Sequence, residues 1–506
     1  MRHNIFIISL LSVTLLFTGC EDFLTDKPES VLTSSDFYTT PERIEVGVIG
    51  CYVGMKRIMN DEWQFTEIRS DNTCVAQVNS GSDTRVRLAN YAHFSVLPSE
   101  QSILDYWYNT YQNIATVNTI LPSVQDTSYI KIEEDRAAYN AELRFIRAYH
   151  YFTLVNLFGD MFEVTETIGP EDALSIPRSP VLDVYNNIII PDLKIAAEDA
   201  PSIADAGRIT EWAAKGLLAK AYMHMGGLEN LGLAKTILEE FVIESKSPHG
   251  LLDTVPDIFD ITKEMNNEII FAIRYAGVSG NGSPFFENFA PSGTKDVFPV
   301  GSAGGDGNNN PSFELISKFE NDLNDSRNQF FDIYSRSFDA PYILKFVDYG
   351  MTDYSAAEND WIVLRYADIV LLYAEILAQD GNHADAHTYV NQIRARAGKS
   401  LVTDPFTSKE MALDEVYLER RLELAFENHR WFDLLRMNQS YNDPNKAMDI
   451  LIQHTFLRDW YFLYGLYSKI PLPVQANYNN DHLLLPIPQD EIDGNAELDI
   501  KQNPGY

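Results

Sequence analysis

The sequence predicts a mostly α-helical fold, a tetratricopeptide-like helical repeat scaffold carrying long irregular loops suited to ligand binding. Three observations predict it. Apolar residues recur at helical spacing through much of the 506-residue chain. Two helix–turn–helix stretches share one layout, and the one from Arg365 to Gly398 is 34 residues long, the length of a tetratricopeptide unit. The connections between helices are rich in glycine, proline and asparagine and too long for simple turns.

The elements follow in order. Arg2 is a positive n-region and Ile5 to Phe17 an apolar core, so residues 1–19 read as a secretory signal peptide too short to span a membrane. Leu16-Phe17-Thr18-Gly19-Cys20 resembles the bacterial lipobox, with Phe17 where that pattern prefers leucine. Cys20 is therefore the expected lipidation site and the mature N-terminus. Two or more acyl chains, such as palmitate, at about 0.8 kcal/mol per buried methylene, anchor a protein stably. No later segment reaches the roughly 18 uninterrupted apolar residues of a membrane helix.

Ile103, Trp107, Tyr111 and Ile114 share one face of a helix over 103–121. A second helix starts at the acidic Glu133-Glu134-Asp135, is apolar around its circumference through Leu143, Phe145, Tyr149 and Phe152, and stops at Gly159. Trp212 to Ile243 forms a helical pair broken at Gly226-Gly227, where Gly216 and Ala219 permit close packing. Arg365 to Gly398 forms the other pair, with Gly381 as stop and Asn382 as N-cap. A single late helix is expected from Ser408 to Met437, opened by the capping pattern Thr407-Ser408-Lys409-Glu410. Gly277 to Pro311 is the longest loop, and Phe285, Phe286, Phe289 and Phe298 within it argue against disorder.

A formal net charge of -34 argues against nucleic-acid partners and against a basic contact with anionic lipid. Beyond Cys20 only Cys51 and Cys74 remain; they can pair in an oxidising compartment but make no disulfide framework.

Several segments together resemble the SusD/RagB family of Bacteroidetes outer-membrane lipoproteins. They are the start Cys20-Glu21-Asp22-Phe23-Leu24, the block Ala141 to Phe152 running into Leu157-Phe158-Gly159-Asp160, Leu364 to Glu375, and Glu419 to Glu427 with Arg430 to Arg436. The tail Leu485-Pro486-Ile487-Pro488 and Gln502 to Tyr506 closes the pattern, with Asn495-Ala496 where the family often has Asn-Pro. The resemblance implies one SusD-like domain over 20–506, with an N-terminal part to about 260 and a C-terminal part from about 261. It implies a non-catalytic surface lipoprotein that captures oligosaccharides, or peptides in some relatives. The partner it implies is a SusC-like TonB-dependent β-barrel transporter, and no cofactor is expected. The matched blocks are expected to be scaffold, with Glu427, Arg430, Asp433 and Arg436 spaced for intrahelical ion pairs.

Sugar recognition needs an aromatic face plus planar amides or carboxylates. Trp63, Asp71, Arg85 and Phe94 form one candidate ligand-binding set, joined by Arg69, Asn72, Asn79, Asp83 and Tyr91; Phe285, Phe286 and Asn288 form a second, and Tyr354 a third wall. Phenylalanine outnumbers Trp and Tyr in these stretches, which leaves peptides open. No metal is expected, although His383 and His387 stand at i, i+4. The run Gly301 to Gly307 lacks the Gly-Lys-Ser/Thr ending of a phosphate loop. Two competing functions are a surface glycoside hydrolase and a scaffold for envelope assembly that binds only proteins.

Overall fold

Local capping chemistry sets the helix boundaries. The computed structural model describes residues 37–75, 82–278, 280–290, 305–332, 341–351, 353–458, 460–463, 466–469, 477–495 and 498–506. The expected signal peptide, Cys20 and Asn79 lie outside them. Helix α1 (Pro41–Thr66) begins at Thr40, whose hydroxyl accepts from the Arg43 N–H, with Pro41 in the first turn. Ser82 caps α2 (Asp83–Ala92) in the same way. Helix α3 (Gln101–Gln125) contains the predicted stretch and buries Ile103, Trp107 and Ile114. Helix α4 (Glu133–Phe158) opens on its three acidic residues and stops at Gly159, at φ +80°. From Ala141 onward α4 is buried on nearly every side, as its apolar circumference predicts.

A helical run from Val181 passes through a π turn, Tyr185–Ile189, into α5 (Ile190–Asp199). Pro191 lacks the N–H that a regular helix uses, and the π turn absorbs the mismatch. Helices α6 (Glu211–Met225) and α7 (Leu228–Val242) are separated by Gly226 and Gly227, both at positive φ. After strand β1 (Ile269–Ile273) come the short α8 (Phe285–Phe289), then α9 (Phe313–Glu320) and strand β2 (Trp361–Arg365). Strands β1 and β2 pair antiparallel, Ile269 opposite Arg365 and Ile273 opposite Trp361. A Cβ at Gly216 would displace the Leu364 side chain of β2, so glycine there lets α6 lie close to the strand pair with that leucine in place. Helices α10 (Tyr366–Gln379) and α11 (His383–Ala397) make the second predicted unit, ended by Gly398 at φ +75°. Asn382 holds the N-cap position, but its side chain makes no capping bond.

Helix α1 lies on α3, α3 on α4, α4 on α5, α5 on α6, α6 on α7, α7 on α10, and α10 on α11 and on α12 (Lys409–Glu423). Covering each helix mainly by its neighbours is how a repeat scaffold buries its faces. One buried cluster nevertheless runs from Ile44 to Ile500. The last residues tie back to the first half: the Asn503 amide donates to the Phe158 and Leu485 carbonyls, each at 2.7 Å. Arg178 donates to the Lys501 carbonyl and to Asn503 Oδ1, each at 2.9 Å. Among the described residues no helix is long and apolar enough to cross a membrane. Cys51 and Cys74 are not joined; Cys51 is buried, which pushes its thiol up to about 12.

The single late helix is a correction. The structure breaks it into α12 and α13 (Arg430–Ser440), followed by α14 (Lys446–Arg458). Phe426 and Asn428 sit between α12 and α13 at φ +69° and +65°. Nothing in Leu424-Ala425-Phe426-Glu427 opposes helix locally. The turn is held from outside, by Lys345 donating to the Ala425 carbonyl at 2.9 Å and by Arg365 gripping Glu427. The capping hydroxyl of α12 is Ser408, accepting from Met411 N–H at 3.1 Å, one residue after the expected Thr407.

The expected intrahelical ion pairs need the same correction. Of the four residues named for them, among the described contacts only Arg436 and Asp433 pair within one helix, at 2.8 Å. The other charges join distant segments. Arg365 spends all five N–H groups: on Glu427 through both carboxylate oxygens at 2.8 Å, on Glu268 at 3.0 Å, on Glu423 at 2.6 Å and on the Glu423 carbonyl at 2.7 Å. Arg327 holds Asp325, Glu419 and Glu423 from the other side. A second set links Lys220 and Arg420 to Asp368, Arg420 to Asp433, and Arg436 to Glu375. In α4, Arg147 and Arg144 share Asp192 of α5, at 2.7 and 2.6 Å. The blocks that carry the resemblance supply much of this network and are scaffold: buried charges held by opposite charges.

Among the described residues no cation is bonded to Glu62. It accepts from the hydroxyls of Tyr149 (3.2 Å) and Tyr106 (3.4 Å), and burial pushes its carboxyl up to about 7 from an ordinary 4.5. A raised carboxyl means the folded chain binds the extra proton between those two values. Its contribution is therefore present at the acidic end of the window and lost as pH rises through about 7. Buried His150 and His429, pushed down to about 3, act in the opposite sense, so the parent's own profile mixes both. The Glu62→Gln variant isolates the carboxyl. Its stability relative to the parent is expected to rise by about 2–3 kcal/mol between pH 5 and pH 8. Paired urea melts at the two pH values measure this, and an unchanged difference would show that Glu62 is ionised at both.

Candidate functional site

The Phe-bearing loop turns its aromatic rings inward. Phe285 stacks on Trp361 with centroids 3.9 Å apart, and Phe289 meets the edge of Trp63 at 5.3 Å. Phe286 is buried with Tyr342, Val347 and Met351 in a small satellite cluster. With three of its five positions committed to the interior, α8 presents Glu287 and Asn288 outward.

Residues 306–308 run beside this short helix. The N–H groups of Asp306, Gly307 and Asn308 donate to the carbonyls of Glu287 (2.7 Å), Ala290 (2.8 Å) and Asn288 (2.7 Å). Any Cβ at Gly305 would strike the backbone carbonyls of Glu287 and Ala290, so this alignment requires glycine. Arg85, from α2, donates to the Asp306 carbonyl at 2.6 Å. Asn308 reaches Asn288 Oδ1 at 3.4 Å and Asp306 Oδ2 at 3.3 Å. On the other flank the Gly282 and Ser283 N–H groups donate to the Ser355 and Ala357 carbonyls, which brings the turn Tyr354–Ala356 against α8. Partial burial, then the nearby Asp306 and Asp353, raise the Glu287 carboxyl above its ordinary range.

The result is a polar ledge of three carboxylates, one half-buried amide (Asn288) and a guanidinium, braced by the buried Asn308 on a rigid aromatic base. Acceptors and donors of this kind match sugar hydroxyls. The ledge unites Arg85, Asn288 and the Tyr354 backbone; the Tyr354 side chain and Phe298 lie outside what the structure describes. Asp306, Asn308, Glu287 and Asp353 were not singled out from sequence. The signal for Asp306 was present in the Gly-rich run ending at Gly307, which draws attention only as an incomplete phosphate loop.

The other predicted residues are interior. Trp63 is 2% exposed, and its indole N–H donates to the Asn60 carbonyl at 3.0 Å. Phe285 and Phe286 are enclosed as described. Asp71 accepts from Arg430 Nε and Nη2 at 2.7 and 2.8 Å and pairs with Arg421 at 3.2 Å, which hold it below the usual carboxylate range against the cost of its burial. Phe94 is buried with Arg69 over its ring at 5.4 Å and Tyr478 beside it at 5.3 Å. Trp63, Phe285 and Phe286 support the ledge from below, whereas Asp71 and Phe94 lie apart from it. Among the described residues no three His, Cys, Asp or Glu converge as metal ligands. His387 is engaged with the Val402 carbonyl at 2.9 Å.

Comparisons with known proteins fit this architecture. A model described as the SusD family matches residues 321–506, and one described as starch-binding associating with outer membrane matches residues 22–223. SusD-like protein P25 of Formosa agariphila is 26% identical, over 94% of this chain and 97% of its own. A solved laminarin-binding SusD-like protein superposes with a TM-score of 0.73 at 23% identity, covering 93% of this chain and all of that one. Surface glycan-binding protein A from Bacteroides uniformis gives 0.74 at 19% identity, over 92% and 99%. Two models of one family that match both ends of the chain, a relative aligned along nearly its whole length, and a shared helical scaffold lead to one assignment: the chain belongs to the SusD family.

Proposed function

We propose that the chain is a non-catalytic glycan-binding lipoprotein of the outer-membrane surface, anchored through Cys20. In this reading it captures oligosaccharides and delivers them to a SusC-like TonB-dependent β-barrel transporter, folding over 20–506 as one SusD-like domain. The polar ledge carries the reading, because its exposed carboxylates, Asp306 and Glu287, beside the half-buried amide of Asn288, suit hydroxyl-rich ligands. The residue-level support for peptides was the phenylalanines, and Phe285, Phe286 and Phe289 are all buried. Relatives described as binding laminarin or surface glycans support the same class of ligand.

The test uses the chain beginning after Cys20 in native gels containing laminarin, starch and other polysaccharides, with reducing ends assayed in parallel. Retardation by at least one polysaccharide without new reducing ends is expected. Asp306→Ala is expected to weaken that binding roughly 10-fold or more, the worth of a charge-assisted hydrogen bond, with the melting temperature unchanged. Product formation, or no retardation by any polysaccharide, would overturn the reading.

A further inference from the structure

Helix α1 carries an apolar stripe on its outer side. Val46, Ile49 and Val53 stand at helical spacing and are 61%, 46% and 60% exposed, while Ile44, Val48, Cys51 and Met55 fill the inner side. Gly50 lies within the stripe and is itself exposed; a Cβ there would meet nothing within 4 Å. Glycine in mid-helix is costly relative to alanine, and packing inside the chain supplies no reason for it.

The stripe is symmetric about the point between Ile49 and Gly50. Val46 and Val53 lie equally far on either side of it, and so do Glu42 and Arg57, each about 11 Å out at the helical rise. Both charged residues are exposed, and among the described residues neither is in an ion pair. The Glu42 backbone N–H and the Thr40 hydroxyl hold the Glu42 carboxyl below its ordinary range, so it stays anionic. Such a face is complementary to itself turned end for end. Set antiparallel across a two-fold axis, Ile49 seats on Gly50 of the partner subunit, Val46 faces Val53 of the partner subunit, and Glu42 meets Arg57 of the partner subunit at each end. Parallel pairing would instead set like charges together at both ends. The same antiparallel relation brings Arg43 toward Lys56 of the partner subunit, but Lys56 is turned aside, donating to the Arg274 and Asn281 carbonyls at 3.2 and 3.3 Å.

We infer that the outer face of α1 is a self-association surface, and that its occupant is α1 of a second copy of this chain. The open glycine lets the two helices approach closely at the axis, the valines close over it, and the charges at the ends fix direction and register. One helix against one helix covers less than the roughly 1,200 Å² of a standard-size interface, so the dimer is weak and concentration-dependent.

The test is sedimentation equilibrium on the chain beginning after Cys20, at concentrations up to about 1 mM. Monomer and dimer in exchange are expected, with less dimer as salt is added. Gly50→Met is expected to weaken dimerisation roughly 10-fold or more while the melting temperature holds or rises, because the new side chain meets nothing in its own copy and methionine is the better helix former. Arg57→Glu is expected to weaken the dimer by a similar factor. Combining Glu42→Lys with Arg57→Glu is expected to restore it, since the exchange re-forms both end pairs with their signs reversed. A chain that stays monomeric throughout would assign the face to another occupant and overturn the proposal. So would a dimer that Gly50→Met leaves intact, or one that the charge exchange fails to restore.

Discussion

Replacing Arg365 with methionine is expected to lower the free energy of unfolding by about 3–5 kcal/mol, the cost of removing one partner from a buried charge cluster. The side chain is wholly buried, and its five donors meet three carboxylates and one carbonyl. Methionine fills much of the volume but leaves Glu268 and Glu423 with less compensation and frees the 424–429 turn that Glu427 helps to hold. Arg365→Lys keeps the charge but offers three donors where five are used, and cannot grip two oxygens of one carboxylate in a plane. It is expected to recover less than half of the loss. Urea denaturation midpoints of the three proteins measure this. A methionine variant within 1 kcal/mol of the parent, on the order of an ordinary surface change, would mean that the cluster is not needed for stability.

Trp63→Ala is expected to destabilise by about 3–5 kcal/mol, the range for truncating a large buried aromatic. The ring lies under α8, edge-on to Phe289, and Phe289 in turn contacts Phe285 and Phe346. The cavity opens beneath the ledge, so loss of glycan binding is expected to follow loss of structure. Trp63→Phe is expected to retain most of the stability and all of the binding. Binding lost in Trp63→Phe at parental stability would make Trp63 a direct ligand platform.

The scaffold was legible where local chemistry decides it. The helix over 133–158 announces both ends, by its acidic first turn and by Gly159, and the two helical pairs are punctuated by Gly226-Gly227 and Gly381. The break at 424–429 was not legible, because those residues favour helix and only Lys345 and Arg365, distant in sequence, hold the turn. The site shows the same divide. Asp71 looks like a free polar group in sequence, yet its partner Arg430 stands 359 residues away. A phenylalanine reads alike whether it faces solvent or a tryptophan, so Phe285 and Phe286 could be assigned to the loop but not to its inner side. Arg85 and Asn288, polar residues near the same loop, did come together.

The bond from Asn503 to the end of α4 has a consequence for the timing of biosynthesis. The Phe158 carbonyl belongs to the last turn of a buried helix, where the helix itself offers no donor. Its partner is synthesised 345 residues later. Until Asn503 emerges, that carbonyl has only the Arg178 guanidinium, at 3.3 Å, and the helix end above apolar surface is incompletely sealed, which is the sort of patch that chaperones shield. Completion of the native state therefore falls after elongation, and a nascent chain stalled before Asn503 is expected to remain protease-sensitive near Gly159.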